Sequence, residues 1–344
     1  MKRVIKAAAL AMTGALALSA CASAGGGSDD SGTTTINIVG FAVPEAGNKA
    51  AAVEFNKTDA GKDVKFSGAY GASGDQSRKV VDTKGKDVDY VVFSVEPDMT
   101  RLVDAGLVAE DWQAGPNGGI VSSSVAVIAV QKGNPLGIKD WSDLTRDDVN
   151  VITADPASSG AAKWNILALY TYAQEQGMSE DEADAYLKDV FGNVTTWAAS
   201  GREATEAFKK GVGNVLITYE NEAILAKQNG EELDYVLPEH TFKIENPGAV
   251  LKDAVPAAAD WLDFILSDDG QKAFASKGFR PVGDVDISGV QVEGANDPSN
   301  PFPVPPSLST VADLGGWDAI NAEWFGKDGE KLRFDNLYAE ATKQ

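Results

Sequence analysis

The sequence predicts an α/β fold with two lobes and a ligand cleft between them. From residue 36 onward, short apolar segments typical of strands alternate with segments of helical periodicity, which indicates βαβ units. This alternation occurs in two runs, and the extended segments 124–130 and 242–251 connect them. Two α/β runs joined by two extended segments predict a hinged clamshell that holds its ligand between the lobes.

The individual elements follow from the spacing of apolar residues. Residues 36–39 alternate as a half-buried strand does, whereas residues 88–93 are nearly all apolar, as in a strand buried on both faces of a parallel sheet. The predicted strands are 36–39, 64–66, 88–93, 124–130, 149–153, 194–197, 215–219, 235–238 and 242–251. The predicted helices are 48–55, 76–81, 99–105, 161–174, 202–210, 261–266, 271–275 and a helical region near 311–325.

The lobe boundaries follow from the two connecting segments. We expect lobe I to comprise residues 36–122 and 248–344, and lobe II to comprise residues 123–247. The chain then crosses between the lobes twice, and right-handed crossovers place helices on both faces of each sheet.

The first 20 residues are predicted to be a secretory signal peptide. Basic residues stand at positions 2, 3 and 6, an uncharged run rich in Ala and Leu follows, and small residues precede Cys21. The run is shorter than the ~20 residues that a membrane-spanning helix needs. Cys21 is the sole cysteine, and Leu18-Ser19-Ala20-Cys21 resembles the lipobox of bacterial lipoproteins, in which the cysteine is lipidated. The alternative is a plain signal peptide with an incidental cysteine.

Residues 21–35 are predicted to be the lipidated cysteine and a flexible tether. From residue 22 to residue 35, no apolar side chain is larger than that of alanine. We therefore expect a protein anchored by its lipid on the extracytoplasmic face of the cell membrane.

The excess of acidic over basic residues limits which partners the protein can bind. A formal net charge of −21 argues against nucleic acid and against direct adsorption to anionic lipid, so membrane attachment must come from the lipid alone. The same charge repels anions at long range. An anion ligand must therefore be held by short-range, oriented donors.

Three segments place small residues between a strand and a helix. They are residues 70–76, 155–162 and 199–203. A helix start exposes N–H groups without intrahelical acceptors, and the helix dipole adds partial positive charge there. Three such starts facing one cleft predict an anion site without a formal cation. The alternative is that Ser73, Ser158 and Ser159 only cap their helices.

The chain resembles the sulfate- and thiosulfate-binding proteins of bacterial ABC importers, most closely the actinobacterial lipoprotein type. The matching motifs are Gly71-Ala72-Ser73-Gly74-Asp75-Gln76, Lys132-Gly133-Asn134-Pro135, Ile138-Lys139-Asp140-Trp141, Ser158-Ser159-Gly160, Lys163-Trp164-Asn165, Gly201-Arg202-Glu203-Ala204-Thr205, Tyr219-Glu220-Asn221-Glu222-Ala223 and Phe279-Arg280-Pro281-Val282. The resemblance implies a type II periplasmic-binding-protein-like fold that captures sulfate or thiosulfate for permease subunits with an ATPase. We expect a monomer that is not an enzyme and needs no cofactor.

The resemblance also implies the residues that contact the anion. Ser73 matches the serine of the first glycine-rich loop, and Ser159-Gly160 matches a Ser-Gly pair. By motif, the expected ligand-binding residues are Ala42, Ser73, Ser159, Gly160, Ala161, Gly201 and Tyr219, and Arg202 is expected to brace its loop without touching the ligand.

Three of these positions depart from the family pattern. Ala161 stands where a second glycine is common, and its N–H is retained. Ala42 stands near a common aspartate, so only its main chain could contribute. Tyr219 stands where the family commonly has a tryptophan. An indole N–H can only donate a hydrogen bond, whereas a phenol hydroxyl can donate or accept one. This position therefore influences which oxyanion fits the site.

The nearest alternative ligand is another oxyanion, such as phosphate or molybdate. Sulfate carries no proton at neutral pH and suits a site of donors only, whereas phosphate keeps a proton and benefits from a carboxylate acceptor. For Asp75 and Asp155, beside the predicted loops, we expect solvated or capping roles. A carboxylate that points into the cleft would favour phosphate. This alternative is open for four further residues, Glu96, Asp98, Glu220 and Glu222.

Two other classes of function remain. A surface serine hydrolase would need Ser73 or Ser159 beside His240, the sole histidine, for which we expect a surface or hinge position. A structural surface lipoprotein would bind no small ligand. One histidine cannot build a multi-histidine metal site, so no metal is expected.

Overall fold

The computed structural model describes residues 33–115, 117–326 and 332–342. The predicted signal peptide, Cys21 and nearly all of the tether lie outside these ranges. Within them the strands are β1 (Thr34–Phe41), β2 (Val64–Gly71), β3 (Tyr90–Val92), β4 (Ile120–Gln131), β5 (Val151–Ala154), β6 (Val194–Ala198), β7 (Val215–Tyr219), β8 (Leu233–Val236), β9 (His240–Val250) and β10 (Ser307–Ser309). The α-helices are α1 (Glu45–Phe55), α2 (Ser73–Asp82), α3 (Glu96–Asp104), α4 (Gly160–Glu175), α5 (Glu180–Gly192), α6 (Gly201–Lys209), α7 (Glu220–Gln228), α8 (Ala257–Leu266), α9 (Asp268–Ala275), α10 (Trp317–Ile320) and α11 (Arg333–Ala341).

The strands form one hydrogen-bonded series in the order β2-β1-β3-β9-β4-β7-β5-β6, with β8 beside β4 and β10 beside β9. Strands β2, β1 and β3 are mutually parallel, and so are β7, β5 and β6. We call these the first and second parallel sets. Each is built from strand–helix–strand units, which is the α/β arrangement that the alternating sequence pattern predicts.

Two long strands connect the parallel sets. Residues 120–125 of β4 pair with β9, whereas residues 126–130 pair with β7 of the second set. At its other end, β9 pairs with β3 of the first set through residues 248–250. These strands contain the two extended segments that the sequence predicts as connections, so the chain passes between the sets along β4 and β9.

Aromatic residues fill the core on both sides of these strands. Trp141, Trp164 and Trp261 are fully buried, as their sequence context predicts. Trp261 packs edge-on against Phe55 of α1 at 5.5 Å between ring centroids, and Trp164 lies 5.8 Å from Phe242 of β9.

The last elements of the chain divide between the two sets, which differs from the prediction that residues 248–344 all belong to lobe I. Trp261 of α8 lies against α1 beside the first set, but Trp317 of α10 packs on Trp164 of α4 at 4.9 Å. In α11, Phe334 packs on Phe191 of α5 at 5.6 Å. An amphipathic helix shows which face it buries but not against which neighbour, so the sequence could not assign these segments.

Helices α5, α7 and α11 are present in the structure but are not among the helices predicted from the spacing of apolar residues. At the beginning of α5, Ser179 and Glu182 form a reciprocal capping box. Helix α7 is buried on nearly all sides, so it shows no simple apolar stripe. Helix α11 does have such a stripe, since its buried residues are Phe334, Leu337 and Ala341. In the described part of the chain, no helix combines the length and the apolar character needed to cross a membrane.

Candidate functional site

The predicted ligand-binding residues lie where strands of the two parallel sets end. In open α/β sheets, ligands bind outside the carboxyl ends of the strands. Ala42 follows β1, Ser73 follows β2, Ser159, Gly160 and Ala161 follow β5, Gly201 follows β6, and Tyr219 ends β7. The helices that begin at these ends are α1, α2, α4, α6 and α7. The candidate site is therefore bordered by helix starts from both sets.

Direct contacts bring three of these helix starts together. The main-chain N–H of Gly74 donates to the carbonyl oxygen of Ser158 at 3.2 Å, which joins α2 to the loop before α4. A Cβ added to Gly201 would lie 3.2 Å from the Cβ of Ala161, so α6 begins beside α4. Residues 73–74, 158–161 and 200–202, which lie far apart along the chain, thus form one cluster.

Helix capping does not account for Ser73, Ser158 and Ser159. The residue that precedes α2 is Ala72, so Ser73 lies inside the helix. Ser158 donates its hydroxyl to the carbonyl oxygen of Ala199 at 2.8 Å. Ser159 occupies the N-cap position of α4 but makes no side-chain capping hydrogen bond, although it is buried. The hydroxyl of Ser159 is therefore not engaged in capping α4.

The hydroxyl of Ser73 is bound to a buried carboxylate. Its oxygen donates to Asp98 Oδ2 at 2.6 Å and accepts the N–H of Ser94 at 2.9 Å. Asp98 is 6% exposed and pairs with Arg101 at 2.9 Å, so its charge is compensated. The main-chain N–H of Ser73 lies in the first turn of α2, where no intrahelical acceptor exists.

The main-chain N–H of Ala42 makes a hydrogen bond within the protein. Its N–H donates to the carbonyl oxygen of Gly71 at 2.9 Å, which ties the end of β1 to the end of β2. The next residue, Val43, accepts a hydrogen bond from Arg202 Nη2 at 3.4 Å. In this conformation the main chain around Ala42 links neighbouring loops, and its N–H does not point to the cleft.

Arg202, in the first turn of α6, is bound to a buried carboxylate of α7. Its Nε and Nη2 atoms donate to the two carboxylate oxygens of Glu222 at 2.8 and 2.7 Å. Glu222 is 2% exposed, so the guanidinium neutralises a buried charge. Since Arg202 also reaches Val43, it connects α6, α7 and the loop after β1.

Tyr219 is buried at the end of β7. Its hydroxyl is hydrogen-bonded to Ser94 Oγ at 2.7 Å, and its ring lies 6.4 Å from that of Phe41. Burial raises the pKa of Tyr219 well above its usual range, so the phenol stays neutral. Sequence reasoning did not single out Ser94, although it follows the end of β3 as the other candidates follow their strands.

The carboxylates near the cluster are engaged elsewhere. Asp75 pairs with Arg78 at 2.6 Å in the solvent, and Asp155 accepts the N–H of Ala157 at 2.8 Å within its own turn. Glu220 pairs with Arg280 at 2.6 Å, and burial raises the pKa of the Glu220 carboxyl although Arg280 opposes this. Asp75 thus has the solvated role at a helix start that the sequence predicts, whereas Asp155 binds within the turn before α4 and does not cap that helix.

His240 does not meet the candidate serines. Its Nδ1 is hydrogen-bonded to Ser307 Oγ at 2.9 Å and its Nε2 to Thr171 Oγ1 at 3.0 Å. His240 is 4% exposed, so a surface position is excluded, and it lies at the start of the connecting strand β9. The side chain fills a gap between α4 and β10. Among residues 33–115, 117–326 and 332–342, no group of His, Cys, Asp and Glu is arranged to hold a metal ion.

The structure combines a mixed α/β fold with donor-rich helix starts at the junction of its two parallel sets. This combination is typical of the two-lobed solute-binding proteins. Residues 36–280 match the family described as bacterial extracellular solute-binding protein. This chain belongs to that family.

Its relatives include proteins named for sulfur oxyanions. The sulfate-binding protein of Synechococcus elongatus is 37% identical over 341 residues, 94% of each chain. The thiosulfate-binding protein of Pseudomonas aeruginosa is 29% identical over 294 residues, which cover 82% of this chain and 85% of the relative. The solved structure of the sulfate-binding protein SubI from Mycobacterium tuberculosis superposes with a TM-score of 0.79 at 42% identity, covering 85% of this chain and all of that one. These relatives are binding proteins, and the fold prediction is confirmed.

Proposed function

We propose that this protein captures sulfate, or thiosulfate, between its two lobes and delivers the anion to an ABC importer. The observation that carries the proposal is the meeting of the first turns of α2, α4 and α6, since Gly74 contacts Ser158 and Gly201 approaches Ala161. Each first turn supplies N–H donors and the positive end of a helix dipole. The relatives named for sulfate and thiosulfate support the same ligand class.

The donors of this site carry no formal charge. The main-chain N–H groups of Ser73, Gly160, Ala161 and Gly201, with the hydroxyl of Ser159, hold the dianion, and the charge of Arg202 is already committed to Glu222. Oriented donors in a water-excluded cleft interact strongly with an anion because they need no reorganisation and little screening occurs there. Binding is reversible and breaks no covalent bond, so the protein acts as a carrier and not as an enzyme.

The carboxylate positions favour sulfate over phosphate. A hydrogen-bearing oxyanion needs an acceptor, and the nearby carboxylates of Asp75, Asp155 and Glu220 are paired or face solvent. Asp98 accepts hydrogen bonds from Ser73 and Arg101 instead of facing the cleft. A fully ionised ligand is therefore the better match for the donors that remain.

Calorimetry with a panel of anions tests the proposal. We expect one saturable site for sulfate, competition by thiosulfate, and no heat with phosphate or molybdate at the same concentrations. Binding of phosphate or molybdate alone would assign another oxyanion to the site. An absence of heat with all four anions would contradict an oxyanion carrier and leave a structural surface lipoprotein.

We further propose that the mature protein is a monomer anchored through a lipid on Cys21, with permease subunits docking on the rims of both lobes. The lipobox-like tetrapeptide at residues 18–21 supports this attachment. Incorporation of labelled fatty acid into the native chain, and its loss in Cys21→Ser, is the expected result. Labelling that persists in Cys21→Ser would contradict an anchor at that residue.

A further inference from the structure

Ser94 is a buried residue that makes several polar contacts between the two parallel sets beside the candidate site. Its Oγ is hydrogen-bonded to the Tyr219 hydroxyl at 2.7 Å. Trp164 Nε1 donates to the Ser94 carbonyl oxygen at 3.0 Å and to its Oγ at 3.1 Å, and Asn246 Nδ2 donates to the same carbonyl at 3.0 Å. Ser94 follows β3 of the first set, whereas Tyr219 and Trp164 belong to the second set.

The position of Ser94 is held from its other side as well. Its N–H donates to Ser73 Oγ at 2.9 Å, and Ser73 in turn donates to Asp98 at 2.6 Å. Ser94 and Tyr219 are 0% and 1% exposed. A hydrogen-bond chain thus runs from Asp98 to Tyr219 without contact with bulk water, which fixes both hydroxyl oxygens.

The hydroxyl groups of Ser94 and Tyr219 have more hydrogen-bond donors than their mutual hydrogen bond uses. Two hydroxyl groups carry two hydrogens, and the bond between Ser94 and Tyr219 uses one of them, whichever oxygen donates. Trp164 Nε1 fills an acceptor position on Ser94 Oγ and supplies no acceptor. One O–H donor of the pair is therefore left over, and a buried donor requires an acceptor.

The pair lies beside the first turn of α4. A Cβ added to Gly160 would stand 3.0 Å from Ser94 Oγ, so the hydroxyl is next to the first residue of α4. An oxyanion held at this helix start lies within reach of the remaining O–H. The same pair also closes the junction between the parallel sets.

We propose that Ser94 is a positioning residue of the anion site, and that Ser94 and Tyr219 act as one unit. The unit presents a single O–H donor to the oxyanion and holds the two lobes together in the closed state. This inference rests on the proposed oxyanion-binding function, and it adds a residue that neither the motifs nor the relatives' names identify.

Ser94→Ala, Tyr219→Phe and the double variant test the inference by calorimetry with sulfate. Each single change removes the shared hydrogen bond, so we expect about a tenfold or greater loss of affinity from each. The double variant should bind no more weakly than the weaker single one, because the unit is already broken. In stopped-flow measurements of tryptophan fluorescence, the loss should lie in faster dissociation, because the lobes reopen more readily.

Two matched substitutions provide the controls. Ser124→Ala removes a buried serine hydroxyl that accepts the N–H of Asn221 at 3.4 Å and is not among the close neighbours of Gly160. Tyr90→Phe removes a buried phenol hydroxyl that has no partner within the described residues. Both controls should bind sulfate as the native protein does, and thermal melting checks that every variant is folded.

The outcomes separate this inference from the proposed function. If the native protein binds none of the oxyanions, the proposed function fails. If it binds sulfate and both Ser94→Ala and Tyr219→Phe keep native affinity, or if their losses simply add, the two-hydroxyl unit is wrong while the carrier function stands. If Ser94→Ala does not fold, Ser94→Cys takes its place, because it keeps the size of the side chain but has a weaker hydrogen-bond donor. Native sulfate affinity in Ser94→Cys would equally contradict the inference.

Discussion

Gly160 and Ser94 are in such close contact that a Cβ on Gly160 would stand 2.8 Å from the Cβ of Ser94. Gly160 begins α4 and Ser94 follows β3, so this approach joins the two parallel sets at their carboxyl edges. Real Cβ atoms do not come so close to a neighbouring carbon. The closed junction therefore depends on the missing side chain at this position.

Gly160→Ala is expected to weaken sulfate binding at least tenfold by forcing Ser94 and α4 apart. Calorimetry measures the affinity. The matched control is Gly192→Ala near the end of α5, where an added Cβ meets nothing within 4 Å and alanine favours the helix. Native affinity in Gly160→Ala would show that closure does not need this contact.

Ser159→Ala is expected to lower sulfate affinity about tenfold without unfolding the protein, because its hydroxyl makes no capping bond that the fold would lose. Calorimetry and thermal melting together separate the two effects. Ser276→Ala, which removes a serine hydroxyl bonded to Ala273 at the end of α9, should change neither affinity nor function. An unchanged affinity in Ser159→Ala would remove that residue from the site.

Arg202→Ala is expected to destabilise the fold by ~3–5 kcal/mol, because Glu222 would remain as a buried, unpaired carboxylate. Urea unfolding measures the free energy. Arg78→Ala is the matched control, since its pair with Asp75 lies in solvent and contributes less than ~1 kcal/mol. Equal losses in the two variants would contradict a bracing role for Arg202.

Sulfate affinity is expected to stay constant or increase slightly as sodium chloride is raised from about 10 mM to about 150 mM. The site has no uncompensated cation to be screened, whereas the net charge of −21 repels the anion and this repulsion is screened. Calorimetry at several salt concentrations checks this. A steep loss of affinity would indicate that a free cationic side chain binds the ligand.

Stability is expected to fall as the solution is acidified through the titration of His240. Burial lowers the pKa of this imidazole below 6.5, although the charge of Glu175 opposes the shift. The unfolded chain then binds the proton more readily, so the stabilisation is complete above about pH 6.5 and is lost as pH falls through the folded-state pKa.

The comparison of native protein with His240→Gln isolates this contribution, because the chain has a single histidine. Urea unfolding at a series of pH values should give a smaller pH slope for the variant between about pH 7 and pH 5. Identical slopes would mean that His240 has the same proton affinity in the folded and unfolded states.

Local pattern predicted most of the strands, and it placed the starts of α4 and α6 within one residue. The turns after β2, β5 and β6 are rich in Gly, Ala and Ser because a main chain that approaches other loops leaves little room for side chains, and this composition is visible in the sequence. The same reasoning placed Asp75 in a solvated role at the start of α2. These features depend on a few neighbouring residues, which is why they can be predicted.

Contacts between distant segments could not be predicted in the same way. Ser94 has no glycine-rich context, so its bonds to Ser73 and Tyr219 are visible only in three dimensions. The burial of His240 between Thr171 and Ser307 depends on a tail segment whose neighbour the sequence does not specify. The commitment of the Ser73 hydroxyl to Asp98 is a further contact of this kind.

By itself, the sequence determined the α/β alternation, the two connecting strands, and the helix starts that carry the donors, because each depends on periodicity and composition over a short stretch. Only the tertiary structure decided which donors remain available: it commits the Ser73 hydroxyl to Asp98 and Arg202 to Glu222, and it joins Ser94 to Tyr219. The physical reason is that hydrogen-bond partners are chosen by distance in space, and the packing of β4 and β9 brings together groups more than a hundred residues apart in the chain.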